Sequence, residues 1–232
     1  MNVIWEGLLA AVRMLISLDP EVLEITWRTI QVSVTATIIS IGIGLPIGTW
    51  LALTRFRSRG FWVSLVNFGM GLPPVVVGLV TWLMLARYGP FGMLELLYTP
   101  TAIVLAQSII ASPIVAGFSM AAIQAVNPKL LLQIRAMGTT RFQFLLLLLW
   151  EARLGILSAI IAGFGGVISE VGASMMVGGN IRGYTRVLTT ATVLEVSKGN
   201  LELATALSII LLTLTFVIVS LLSHWQQKKS AS

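Results

Sequence analysis

Cysteine is absent from this 232-residue sequence, and histidine occurs only once, at His224. Metal, thiol and imidazole chemistry depend on these residue types, so we expect no catalytic residue and no metal ligand here. The phosphate-binding pattern GxxxxGKS/T does not occur either. We therefore expect the chain to bind no cofactor of its own and to take energy from another subunit.

Charge is also scarce, because only 10% of the residues are charged while 56% are hydrophobic. The mean hydropathy is +0.94, well above that of a soluble globular domain. A bilayer core of roughly 30 Å requires about 20 apolar residues in a helix, and such runs recur along the whole chain. The sequence thus predicts an all-α integral membrane protein, residues 1–232 forming one transmembrane domain.

Five transmembrane helices are predicted from the uncharged runs. They cover about residues 29–54, 61–86, 101–126, 154–177 and 203–223. Residues 1–20 contain Glu6 and Arg13 and predict an amphipathic helix at the membrane surface. Residues 142–150 are apolar but too short to cross a bilayer, so we expect a second surface helix there.

Basic residues concentrate on one side of this topology. They are Arg55, Arg57, Arg59, Lys129, Arg135, Arg141, Lys228 and Lys229. By the positive-inside rule this side is cytoplasmic, which places the N-terminus outside and the C-terminus in the cytoplasm.

The connection after the third span, VNPKLLLQIRAMGTTR, encodes a short helix over about residues 128–137. Asn127 is a cap, Pro128 suits the first helical position, and Gly138 supplies a left-handed C-terminal residue. Spacing places one apolar set on a common face: Leu130, Ile134 and Met137. Lys129, Gln133 and Arg135 project elsewhere. Such a helix is either an ordinary surface linker or a rigid element that receives force from a soluble partner.

One carboxylate, Glu170, lies within the fourth predicted span, in ISEVGASMMVGGN. Small residues recur every four positions around it, at Ser158, Ala162, Gly166 and Ser174, which predicts a helix-crossing contact. We expect Glu170 to accept hydrogen bonds from backbone N–H groups or hydroxyls around Gly172 and so to brace an outer gate. A plain helix-packing acid and a direct role in a permeation path are the alternatives.

The second predicted span contains GLPPVVVG, Gly71 to Gly78. Pro73 and Pro74 remove intrahelical hydrogen bonds, so we expect this span to bend or unwind in the membrane. The bend is either a structural kink or part of a pore.

These segments together resemble one family. AMGTTR is similar to the cytoplasmic loop of ATP-binding-cassette importer permeases, with Gly138 at its glycine and Arg135 at a basic position, although Leu132, Gln133 and Ile134 depart from its leading pattern. GLPPVVVG and EVGASMMVGGN resemble segments of molybdate and sulfate permeases. LLYTPTAIVLAQ and EVGASMMVGGNIRGYTRVLTTAT are most similar to the tungstate type.

The resemblance, which covers about residues 24–224, implies a MetI/ModB-like permease fold in a prokaryotic inner membrane. It implies an importer of tungstate or molybdate, with another anion such as sulfate as an alternative. The rival interpretation from another class is a non-transporting membrane scaffold that docks a cytoplasmic partner. The implied partners are a second copy of the chain, two ATPase subunits carrying ATP and magnesium, an extracytoplasmic oxyanion-binding protein and the lipid bilayer, with no nucleic acid.

Two sets of site residues follow from the resemblance. The expected contacts with the ATPase are Lys129, Leu130, Gln133, Ile134, Arg135, Met137 and Gly138. The expected gate and translocation path contain Pro73, Pro74, Glu170, Gly172, Ser174, Gly178, Gly179 and Asn180. Arg182 and Arg186, on the outer side, either attract an anion or a docked binding protein or are simply solvated.

Overall fold

In the computed structural model, which describes residues 2–17 and 19–230, the regular elements are helices. Met1, Leu18 and the last two residues lie outside the described residues. The α-helices are α1 (Asn2–Ile16), α2 (Pro20–Leu53), α3 (Arg59–Met70), α4 (Pro74–Leu85), α5 (Pro100–Gln124), α6 (Pro128–Ala136), α7 (Arg141–Glu151), α8 (Arg153–Ile168), α9 (Gly172–Gly178), α10 (Leu188–Ser197) and α11 (Leu201–Ser230). A short 3₁₀ turn, Gly92–Leu94, lies between α4 and α5.

The first long helix begins at Pro20, nine residues before the predicted start of the first span at Thr29. Asp19 is its cap, since Oδ1 accepts hydrogen bonds from the backbone N–H groups of Glu21 at 3.0 Å and Val22 at 3.2 Å. The uncharged run marked only the apolar part of α2. Its 34 residues span about 51 Å at 1.5 Å per residue, more than the thickness of the hydrocarbon core.

The second predicted span is not one helix. It is divided at Gly71–Pro73 into α3 and α4, whose axes differ by 99°. The expected break at the prolines is confirmed, and Pro74 occupies the first turn of α4, where its missing N–H has no intrahelical partner to lose.

The fourth predicted span is also divided. The separate helix expected over residues 142–150 is confirmed as α7, which is bent by 68° from α8. The prediction of one helix from Leu154 to Val177 is wrong, because α8 ends at Ile168 and α9 begins only at Gly172. The backbone between them is not helical.

The N-terminal segment does form the expected helix, but α1 packs along α11 instead of lying alone on the surface. Ala10 and Ala11 are buried against Ala206 and Leu207. A Cβ atom on Gly7 would lie 2.5 Å from Cβ of Thr205, so the two helices approach closely there.

Three helices are long and apolar enough to cross a membrane by themselves: Pro20–Leu53, Pro100–Gln124 and Leu201–His224. The count rises to five if each bent pair, α3 with α4 and α7 with α8, forms one span. Helix α5 is central, since it contacts α2, α3, α4, α8 and α9. Both broken segments are therefore held against the same long helix.

Candidate gate and coupling sites

The structure brings the two broken segments together, because α4 packs directly on α9. A Cβ atom on Gly78 would lie 2.7 Å from Cα of Ala173, which is backbone and cannot move aside. A Cβ atom on Gly172 would lie 2.8 Å from Cγ2 of Val75. Gly172 thus serves close approach and not a left-handed turn. The LPPVVVG and EVGASMMVGG segments, distant in sequence, form one contact.

Glu170 lies in the non-helical backbone between α8 and α9. Its Oε1 accepts a hydrogen bond of 2.8 Å from the backbone N–H of Ala173, in the first turn of α9, and the residue is only 8% exposed. Its backbone carbonyl accepts a hydrogen bond from Oγ1 of Thr189 in α10 at 3.1 Å. The expected bonding to backbone around Gly172 is confirmed. The gate role itself stays a prediction.

The small residues at four-residue spacing do not form one helix face through Glu170, so that prediction was wrong. Ser158, Ala162 and Gly166 lie on α8, but that helix ends before Glu170, and Ser174 belongs to α9. The stripe therefore does not continue through the carboxylate. Ser174 is fully buried, and its hydroxyl is hydrogen-bonded to α5.

Gln107 of α5 is a site residue that the sequence reasoning missed. Its Nε2 donates to Oγ of Ser174 at 3.0 Å and to the backbone carbonyl of Val167 at 3.3 Å. One amide therefore links the last turn of α8 to α9 across the break. The signal was present, since Gln107 is a carboxamide in the middle of an uncharged run, where a polar side chain usually bonds another helix.

The C-terminal end of α9 is tightly bound. Gly179 has a φ of +69° and a Cβ atom there would lie 2.9 Å from Cδ1 of Tyr98. The backbone N–H of Tyr98 donates to the carbonyl of Val177 at 2.8 Å. Oγ1 of Thr185 donates to the carbonyl of Gly178 at 2.6 Å, and Nδ2 of Asn180 donates to the carbonyl of Thr190 at 3.2 Å. Gly178, Gly179 and Asn180 thus anchor α9 instead of forming a loose hinge.

The two breaks also leave backbone accessible at the protein surface. Gly71 and Pro73 are exposed at one break, and Ser169 is exposed at the other. Non-helical backbone is tolerated at membrane depth only where it contacts protein or water, because lipid offers no hydrogen bonds. We therefore expect protein or water, and not lipid, to cover the backbone at these breaks.

At the opposite end of the bundle, α6 has the predicted caps. Oδ1 of Asn127 accepts from the N–H of Lys129 at 2.9 Å, and Gly138 has a φ of +73°. Ile134 is buried and Leu130 packs against the neighbouring core, but Met137 lies beyond the helix end and is 71% exposed, so it does not share their buried face.

The polar side of α6 is accessible. Lys129, Gln133 and Arg135 are exposed, and the Arg135 guanidinium lies over the Phe144 ring at 4.6 Å from its centre. Arg135 and Phe144 line a cavity of about 510 Å³ together with Leu53, the last residue of α2. Helix α6 and the end of α2 therefore share one face of the bundle.

The two basic residues after α9 are ion-paired and not merely solvated. Arg182 and Arg186 both contact the carboxylate of Glu21, near the start of α2, and the hydrogen bond to Glu21 raises the pKa of Arg182. The Lys198 ammonium, at 2.7 Å, holds the pKa of the Glu195 carboxyl below its usual range. The two pairs with Glu21 connect the start of α2 to the loop after α9.

A family model described as "Binding-protein-dependent transport system inner membrane component" matches residues 44–230. The chain belongs to this family. It is a multi-pass inner-membrane transport subunit and not an enzyme, because ATP hydrolysis in such transporters belongs to a separate subunit. Membership in a transport family excludes the alternative of a non-transporting scaffold.

Three relatives extend over nearly the whole chain. A tungstate uptake system permease of Peptoclostridium acidaminophilum is 34% identical over 98% of this chain and 100% of its own length. A probable anion transporter permease of Haloferax volcanii is 40% identical over 88% and 90%. A tungstate uptake system permease of Campylobacter jejuni is 31% identical over 93% and 90%.

Solved structures confirm the fold. The MetNI methionine transporter in an inward-facing form matches with a TM-score of 0.68 at 19% identity, over 90% of this chain and 94% of that one. An amino acid transporter structure gives 0.67 at 20% identity, over 92% and 96%. The expected all-α permease fold is confirmed.

Proposed function

We propose that this chain forms half of the translocation path of an ATP-driven importer for a tetrahedral oxyanion, tungstate or molybdate. The names of the full-length relatives support the substrate class. Sulfate belongs to the same chemical class and is the first competitor to test.

The observation that carries this proposal is the pairing of two helix breaks on one surface. The α3–α4 break and the α8–α9 break adjoin through the contact of Val75 with Gly172, and both leave accessible backbone. Polar backbone there needs water or a protein partner, as at the binding sites of other transporters with interrupted helices. A second copy of the chain facing this surface encloses a path between the two.

The charge of the surface suits an anion. Residues 68–76 and 165–175 contain one ionisable side chain, Glu170, and it is buried beneath the surface as the cap of α9. Its Oε1 is held by the backbone N–H of Ala173, so the carboxylate does not line the surface that an oxyanion would approach. The amino-terminal end of α4 begins at this break, and helix N-termini carry partial positive charge. Glu170 thus acts as a brace of the gate.

The remaining assignments concern the two ends of the helix bundle. We place α6 in the cytoplasm, where Lys129, Gln133 and Arg135 meet an ATPase subunit that carries ATP and magnesium. The opposite end, with Arg182 and Arg186, then faces the extracytoplasmic binding protein, and the N-terminus lies outside. Each half of the dimer takes one ATPase subunit.

Reconstitution tests this function. The chain is purified with the ATPase and binding protein encoded beside it, placed in liposomes, and supplied with labelled tungstate, molybdate or sulfate. We expect uptake of the labelled oxyanion only when ATP is present in the compartment that the ATPase faces. Unlabelled tungstate should compete most strongly with this uptake. An assembled complex that hydrolyses ATP but moves none of the three oxyanions contradicts the proposal.

A further inference from the structure

An apolar groove of about 380 Å³ lies on the outer surface of the bundle between α2, α3 and α5. Its walls include Ile39, Ile43 and Ile47 of α2 and Leu65 and Val66 of α3, and its floor is formed by α5, including Leu105 and Ile109. Two hydroxyls, of Ser108 and Ser112, also line it, but each donates its proton to a carbonyl within α5, at 2.7 and 2.6 Å. The groove therefore offers an occupant almost only hydrocarbon contacts.

A basic connection stands at one end of this groove. Residues 54–58 join α2 to α3 and carry Arg55 and Arg57, both exposed. Arg59 begins α3, and its Nε donates to the carbonyl of Leu51 at 2.9 Å. Within the described residues, no ion pair neutralises Arg55 or Arg57. Two positive charges are thus held at a fixed place with no acidic partner.

Aromatic rings complete this end. Trp50 stacks on Phe56 with ring centres 4.8 Å apart, and Trp62 meets Trp50 edge-on at 6.4 Å. Tryptophan favours the level of lipid headgroups, where its ring is apolar and its N–H is wet. The rings indicate that the arginines lie at the headgroup layer.

The depth of the groove agrees with that level. Ile47 lies six residues before Leu53, the last residue of α2, which is about 9 Å along the helix, and Leu65 follows Arg59 by six residues, also about 9 Å. The headgroup layer on each side of a bilayer is roughly 5–8 Å thick. A molecule whose phosphate meets the arginines therefore has its acyl chain at the level of the isoleucines.

We propose that this groove is a binding site for an anionic phospholipid, with one acyl chain along α2 and α3 and the phosphate between Arg55 and Arg57. A second copy of the chain is the other occupant to consider. A two-fold contact centred here brings two arginine connections face to face, and that repulsion disfavours it. The groove is lined by no residue of the gate contact and by none of α6, and the proposal stands whether or not the transported ion is tungstate.

The test uses the full chain in mild detergent, stripped of lipid and titrated with phosphatidylglycerol or phosphatidylcholine, with bound lipid counted by native mass spectrometry. The variant R55Q/R57Q removes both exposed charges and keeps Arg59. We expect phosphatidylglycerol to bind about thirtyfold more weakly, from about 1 kcal/mol per basic residue, with phosphatidylcholine unaffected. The matched control K129Q/R141Q removes two exposed charges from the same end of the bundle. We expect it to change the binding of neither lipid.

A second variant, Ile43→Trp, fills the groove without altering charge, and we expect it to displace both lipids. Equal phosphatidylglycerol binding by R55Q/R57Q and K129Q/R141Q overturns the charge assignment. If Ile43→Trp leaves lipid binding intact but dissociates the dimer, the groove is a contact between copies and the proposal is wrong. Melting temperatures of all variants in detergent confirm that they remain folded.

Discussion

Substituting Gly78 by alanine tests the close packing of α4 on α9. The added methyl group would lie 2.7 Å from Cα and 3.1 Å from Cβ of Ala173, and 3.3 Å from Sδ of Met176. The methionine sulfur is at the end of a flexible side chain, but the Cα atom is not. One of the two helices therefore has to move.

Overpacking of this kind costs about 1–3 kcal/mol. If the cost is released when α9 separates from α4, the opening equilibrium rises by about 5- to 150-fold. Gly42→Ala is the matched control, because its added methyl group would meet nothing within 4 Å. Alanine in a helix interior is favoured over glycine by up to about 1 kcal/mol, so this variant should be neutral or stabilising.

The absence of cysteine supplies the assay. A single cysteine at Val177, which is fully buried in α9, reacts with a maleimide only when the segment opens. In the Gly78→Ala background we expect the labelling rate to rise by the factor above and the melting temperature in detergent to fall. Labelling and melting identical to the Gly42→Ala control would refute the close contact as the element that holds α9.

The other predictions concern side-chain bonds. Glu170→Ala leaves a buried N–H of α9 without its acceptor, so the free energy of unfolding should fall by about 1–3 kcal/mol and transport should fall with it. Glu170→Gln keeps an acceptor and should lose less. Normal transport and ATPase coupling in both variants would rule out the gate role. Gln107→Leu should lower the melting temperature in detergent, while Ser119→Ala, which removes a buried α5 hydroxyl with no partner among the described residues, should not. Equal melting temperatures of the two variants would contradict the role of the Gln107 amide in linking α8 to α9. Glu195 has a lowered pKa, so its pairing stabilises the fold at pH values above its ordinary pKa, and this stabilisation is lost as pH falls through the lowered value. Between pH 7 and about 3 the native chain should therefore lose more stability than Glu195→Gln, and parallel losses would show that the pair does not matter. Arg135→Glu should abolish co-purification of the ATPase without preventing membrane insertion, and retained association would remove Arg135 from the coupling surface.

Local signals predicted local structure well. Asn127, Pro128 and Gly138 act within a few residues of themselves, so the ends of α6 were readable from sequence. Pro73 and Pro74 likewise removed hydrogen bonds that no neighbour restores, and the helix ends there.

The misplaced boundaries have a different origin. An uncharged run reports where lipid or core surrounds a helix, not where the helix begins, so the Asp19 cap put the start of α2 at Pro20 instead of Thr29. The fourth predicted span contains no proline, and nothing local marks its break after Ile168. That break is stabilised from other elements, by Gln107 of α5 and Thr189 of α10.

The sequence by itself determined that this chain belongs in a membrane, that α6 is a capped helix, and that the GLPPVVVG segment is bent, because hydropathy, capping and proline act locally. Only the tertiary structure decided that Thr189 of α10 bonds the backbone carbonyl of Glu170, and that Glu21 pairs with Arg182 and Arg186. Those bonds depend on which helices lie side by side, and this is set by long-range packing around α5 that no short segment contains.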